Sequence, residues 1–152
     1  MNTLGQETFE EFFERVEPRL RRALSSRMRR DRVQDAVASA LTFAFQNWDR
    51  VSAMEHPVAY LYRVAQSKSR LRREALLPPP PPQRAADVEP ALVAAMQSLP
   101  RRQREAVWLI DACGWPAAEV AAALGISQSA VRTHRTRALR SLRNQLGVEI
   151  HA

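Results

Sequence analysis

The sequence is poor in the residues that punctuate loops and cross-link small folds. It holds four glycines and one cysteine, Cys113, among 152 residues. A lone cysteine excludes an intrachain disulfide framework and a cysteine-based zinc site. No useful length of chain alternates apolar and polar residues, so the main signal for half-buried strands is missing. No apolar run approaches the ~20 residues of a membrane span. The stretch Met1 to Glu7 lacks the basic region and apolar core of a signal peptide. A soluble, cytoplasmic chain without a membrane partner is expected. The three histidines, His56, His134 and His151, form no pair at helical ligand spacing. There is neither a glycine-rich phosphate loop nor a nucleophile elbow, and Asp31 and Asp35 read as two solvated carboxylates one helical turn apart. These gaps argue against an enzyme, a metal, a cofactor or a small-molecule substrate. Cys113 reads as a small buried hydrophobe or a loop residue.

Lysine is almost absent too. Of 23 cations only Lys68 is lysine, against 16 anions, for a net charge of +7. Arginine presents a planar fork suited to phosphate and guanine, so a polyanionic partner is expected. Hydrophobic residues make up 45% of the chain, enough for a packed core, and the length suits one domain or two small ones.

Helical periodicity runs through nearly all of the sequence, which predicts an all-α fold. The break is Pro78 to Pro82, half of the ten prolines. Such a run favours polyproline II and serves more often as a spacer than as a ligand motif. The expected division is a domain over 1–74, a proline-rich linker over 75–91 and a second domain over 92–152.

In the first domain a helix from Thr8 to Met28 carries one apolar stripe: Phe9, Phe12, Phe13, Val16, Leu20 and Leu24. A second, from Asp31 as N-cap to Trp48, has Val33, Val37, Ala40, Leu41, Ala44 and Trp48. Phe43 lies off that stripe, either on a partner surface or buried against another helix. A third helix, Pro57 to Glu74, turns Tyr60, Leu61, Val64, Ala65 and Leu71 inward. Its Arg63, Gln66, Arg70 and Arg73 share another face, flanked by Lys68 and Arg72. Cations beside Tyr60 and Tyr62 suit a nucleic-acid backbone, with rings to stack on bases.

The second domain carries the more specific pattern. A helix follows Leu99-Pro100. After Cys113-Gly114-Trp115, Pro116 suits the first position of another helix, ending near Leu124. Gly125 fits a left-handed cap, Ile126 a buried plug and Ser127 the N-cap of a helix from Gln128 to Leu146. Ala121, Gly125 and Val131 fall where a helix-turn-helix needs a small residue, a turn glycine and a buried branched residue. Val131, Ala138, Leu142 and Leu146 then face inward. Ser129, Thr133, Thr136, Arg137 and Arg140 point out, with Gln128 and Arg132 at the edge, and these types bond base edges and phosphates. Arg135 falls beside the apolar stripe, where it snorkels or meets another surface.

Both halves together resemble a bacterial sigma factor of the sigma-70 family, extracytoplasmic-function (ECF) group. Residues 6–74 resemble region 2 through Asp35, Leu41, Ala44, Asn47-Trp48-Asp49-Arg50 and Ala59-Tyr60-Leu61-Tyr62-Arg63-Val64-Ala65. Residues 92–146 resemble region 4 through Leu99-Pro100, Arg104 to Val107, Glu119-Val120-Ala121, Leu124 to Ser127, Val131-Arg132-Thr133 and Arg137-Ala138. The resemblance implies a region 2 bundle of three or four helices and a region 4 helix-turn-helix. It implies promoter DNA, RNA polymerase core and an anti-sigma factor as partners. Minus-thirty-five binding would fall to Ser127, Gln128, Ser129, Arg132, Thr133, Thr136, Arg137 and Arg140. Minus-ten recognition and melting would fall to Tyr60, Arg63, Gln66, Ser67, Arg70 and Arg73, and polymerase contact to Asp35, Ala38, Ser39, Thr42 and Phe43. Ala38 and Ser39 stand where the family usually has Gln and an acidic residue, and Gln66-Ser67 where it often has Arg-Asn. The alternative is a sigma-derived helix-turn-helix regulator with weak or absent polymerase binding.

Overall fold

The computed structural model describes residues 6–75 and 90–147, in two compact units, residues 1–81 and 82–152. The described residues are helical, without strands. The proline tract and most of the expected linker lie outside the described residues.

The first unit holds α1 (Phe9–Leu24), α2 (Arg30–Gln46), the short α3 (Trp48–Ser52) and α4 (Pro57–Ala75). A capping box starts α1: the Thr8 hydroxyl accepts from the Glu11 amide, and the Glu11 carboxylate accepts from the Thr8 amide. The helix stops at Leu24, four residues before the expected Met28. There the Ser25 hydroxyl donates to the Arg22 carbonyl, and the Arg27 and Met28 amides turn back onto the Leu24 carbonyl. Arg29, not Asp31, occupies the N-cap of α2, without a side-chain cap bond. Asp31 sits inside the first turn, 3.5 Å from Arg29.

α1 packs on α2 and both pack on α4. The core joins Phe12, Val16, Leu20 and Leu24 to Val33, Val37, Ala40, Leu41 and Ala44, and to Val58, Leu61, Tyr62 and Ala65. Two expectations fail here. Phe13 lies at the edge of the α1 stripe and is 43% exposed. Tyr62, offered as a stacking ring, is only 1% exposed, because α4 has neighbours on two sides and buries a wider arc than one stripe. Trp48 leaves α2 to open α3, and its ring meets Phe12 at 5.0 Å and Phe9 at 5.4 Å. The Leu71 side chain lies outside the described residues.

The second unit holds α5 (Pro90–Ser98), α6 (Arg101–Val107), a π-helical turn (Trp108–Ala112), α7 (Ala117–Leu124) and α8 (Gln128–Leu146). The sequence reading leaves α5 unassigned and ends its linker inside it. α5 forms because Ala95, Leu92 and Met96 pack against Ala138, Leu142 and Leu139 of α8. The π turn is also unexpected. It closes through Cys113 N–H to Trp108 C=O at 3.0 Å and buries Trp115, whose amide donates to the Leu109 carbonyl at 2.9 Å. Pro116 is extended (φ −62°, ψ 149°) and caps α7 from one residue outside it. Ile126 is half-buried rather than a sealed plug.

Candidate nucleic-acid interface

The turn between α7 and α8 aims the α8 helix. Gly125 adopts φ 68°, ψ 34°, the left-handed conformation that glycine enters without a Cβ penalty. The Gly125 and Ile126 amides both donate to the Ala121 carbonyl. Ser127 is extended, and its hydroxyl accepts from the Ala130 amide at 3.0 Å. Val120, Ala121, Leu124 and Val131 are buried where the two helices meet. This is the helix-turn-helix arrangement expected from the sequence.

One face of α8 is anchored and the other is open. Val131, Ala138 and Leu142 are buried, and Leu146 packs half-buried against the same cluster. Ser127, Gln128, Ser129, Arg132, Thr133, Thr136, Arg137 and Arg140 are all exposed. Within this face the Thr133 hydroxyl donates to the Ser129 carbonyl at 3.1 Å, and Arg132 reaches Gln128 at 3.5 Å. Arg135 meets another surface. Its guanidinium forks onto both carboxylate oxygens of Asp111 at 2.7 and 2.6 Å, tying α8 to the π turn. That bond raises the Arg135 pKa above its ordinary value. Sequence reasoning missed Asp111, since nothing in its local pattern shows that a residue 24 positions away will face it.

In the first unit only part of the expected surface lies among the described side chains. Arg63 and Ser67 are exposed and Gln66 is half-buried on α4. The Arg70 and Arg73 side chains lie outside the described residues. Tyr60 is half-buried and already engaged. Its hydroxyl accepts from Arg50 at 2.7 Å, the Arg50 guanidinium lies 5.5 Å from its ring centre, and Phe43 lies 5.9 Å away. Phe43 is half-buried, with its ring turned toward Tyr60 of α4.

The aromatic left open on α2 is Phe45, 64% exposed. Phe43 and Phe45 are two residues apart, about 200° around a helix, so both cannot face inward; that signal was available in the sequence. Phe45 and Phe13 line an apolar groove between α1 and α2, together with Ala38 and Thr42. Of the other residues in that expected contact set, Asp35 is exposed and Ser39 half-buried.

Among the described residues no cluster of histidine, cysteine and acidic side chains could hold a metal ion, and no helix is long and apolar enough to cross a membrane.

Residues 90–142 match the family model for sigma-70, region 4. No curated protein matches the sequence. Among solved structures, the chain is similar to the sigma factor RpoE of Bartonella quintana, determined with the anti-sigma factor NepR. The identity is 23%, the TM-score 0.72, and the match covers 93% of this chain and 98% of that one. It is also similar to CnrH, determined with the cytosolic domain of CnrY, at 26% identity and a TM-score of 0.68, over 93% of this chain and 89% of that one. Residues 90–142 thus match sigma-70, region 4, within a chain that has the fold of ECF sigma factors.

Proposed function

We propose that this chain is a sigma factor that brings RNA polymerase core to promoters. The observation that carries the reading is the α8 surface. Ser127 at the N-cap and seven glutamine, serine, threonine and arginine side chains of α8 stand exposed, while the opposite side of the helix is locked into a core. The first turns of such a helix fit the major groove, with arginine for guanine and phosphate and hydroxyls for base edges. This face would bind the minus-thirty-five element. The first unit would bind polymerase through α2 and the α1–α2 groove, and would hold the opened minus-ten strand along α4 through Arg63, Gln66, Ser67, Arg70 and Arg73. Opening DNA then requires no bond chemistry. The unpairing cost of a few kcal/mol is offset by contacts to splayed bases and backbone. An anti-sigma factor, the partner seen with RpoE, would hold the chain inactive in the cytoplasm.

The test is co-elution with purified core polymerase, followed by start-site-specific transcription. Arg137→Ala is expected to weaken binding to promoter duplex about tenfold. Arg63→Ala is expected to leave duplex binding in place and to reduce open complex, measured by permanganate reactivity. Equal open-complex formation by wild type and Arg63→Ala would remove the assignment of melting to α4. The exposed Ala38, in place of the usual polar residue, favours the second reading, a sigma-derived DNA-binding regulator. Promoter binding without core co-elution would establish that one.

A further inference from the structure

Arg50 stands exposed on the short α3 helix and reaches across to the start of α4. Its Nη2 donates to the Tyr60 hydroxyl at 2.7 Å, and its guanidinium carbon lies 5.5 Å from the centre of that ring. Among the described residues no carboxylate pairs with it; Asp49 beside it is exposed, and Glu55 lies 3.9 Å from His56. A guanidinium bonds phosphate or carboxylate best, as a two-pronged fork. Here it meets a neutral phenol that takes one of its five N–H groups.

Tyr60 is held on a second side. The Phe43 ring of α2 lies 5.9 Å away, tilted by 40°. The Tyr60 ring is thus fixed at its hydroxyl and along one flank, yet only half-buried. Along α4 it heads a stripe. Arg63 and Ser67 follow after three and seven residues, within about 60° of Tyr60 around the helix, and both are exposed. Arg50 adds a cation from α3 at the head of that stripe. A tie between α3 and α4 needs only a neutral donor to the phenol. A guanidinium brings a charge and further donors, which meet solvent at the edge of a ring already in place.

We propose that Arg50 is a phosphate contact of the opened DNA strand, and that in the same pose it positions the Tyr60 ring for a base to stack on. The strand would run from Arg50 over Tyr60 to Arg63 and Ser67. A base that lands on an ordered ring loses little to fixing that side chain. This role rests on the reading of α4 as the surface for the opened strand and brings to it a residue from α3.

The experiment measures full-chain binding to a mixed-sequence single strand of about 15 nucleotides carrying 5-iodouracil, from about 50 to 300 mM salt. Any contribution of α8 is common to all variants. Each phosphate neutralised on a single strand contributes about 0.7 to the slope of log affinity against log salt. Arg50→Gln keeps a donor for the Tyr60 hydroxyl but loses the charge. It is expected to lower the slope by about 0.7 and the affinity by about five- to tenfold at the lowest salt. Tyr60→Phe removes the hydrogen bond and keeps both ring and charge, so its slope should stay at the wild-type value. Light should cross-link iodouracil to Tyr60 in unmodified protein, and less in Arg50→Gln. A purely structural tie would make Tyr60→Phe as damaging as Arg50→Gln, with neither changing the slope. That result, or a wild-type slope for Arg50→Gln where Arg63→Gln loses about 0.7, overturns the role of Arg50 and leaves the α4 reading in place. Wild-type slopes in both arginine variants, with no cross-link at Tyr60, overturn the α4 reading and the role of Arg50 with it.

Discussion

The two inter-helix turns, α1–α2 and α7–α8, solve the same geometric problem by different means. The α7–α8 turn is written in local chemistry: Gly125 is left-handed, Ser127 caps the next helix, and Ala121 accepts both returning amides. The α1–α2 turn has no positive-φ residue and no capping side chain at Arg29. Hydrogen bonds from Ser25, Arg27 and Met28 close the end of α1, and the buried side chains of the two helices, chiefly Phe12, Leu20 and Leu24 with Val33, Val37 and Leu41, hold the pair together. A turn that aims a reading helix must be set to a narrow angle, and backbone chemistry does that. A turn whose helices are fixed by their own core leaves its surface positions open to other uses, and here they are filled with arginine.

That contrast can be broken by mutation. The largest expected effect is Tyr62→Ala in the first unit. Removing this fully buried ring should cost about 3–5 kcal/mol and unfold α1, α2 and α4 at lower urea, followed by amide exchange. Amides of α7 and α8 should keep their protection; if they lose it equally, the two units do not unfold separately. Gly125→Ala should cost about 1–2 kcal/mol in the second unit. A Cβ there meets no atom within 4 Å, so the cost is backbone strain alone. Gly125→Asn should recover part of it, since asparagine tolerates this conformation.

The Asp111–Arg135 pair sharpens the comparison at a smaller scale. Its side chains are 35% and 38% exposed, so a double-mutant cycle should give only about 0.5 kcal/mol, shrinking with added salt. A coupling several times larger would make this fork, rather than the turn, the device that aims α8. The smallest effect belongs to Glu7. The Arg15 hydrogen bond holds its carboxyl below the usual carboxylate range. Its contribution is present above that range and fades as pH falls through the lowered folded value. With both groups exposed, Glu7→Gln should change stability by less than ~0.5 kcal/mol at neutral pH and by less still in acid, measured by urea titration.

The legibility of the chain follows the same division. Gly125, Ser127 and the α8 face could be read directly because each acts within four residues along the chain. The place of Phe43 could not be settled that way, since it lies on an amphipathic helix with two neighbours. α4 claims the Phe43 side through Tyr60, leaving Phe45 outside. Tyr62 misled for the same reason, and Asp111 stayed hidden because its partner is distant in sequence.

Periodicity and capping residues by themselves determined that the chain is helical, where the helix-turn-helix falls and which side of α8 is open. Those signals are short-range, fixed by hydrogen bonds and side-chain spacing within a turn or two. Only the tertiary structure decided which aromatics are buried, that α5 folds onto α8, and that Arg135 is held by Asp111. Each of these depends on which helix packs against which, and that outcome belongs to the summed burial of whole faces rather than to any local run of residues.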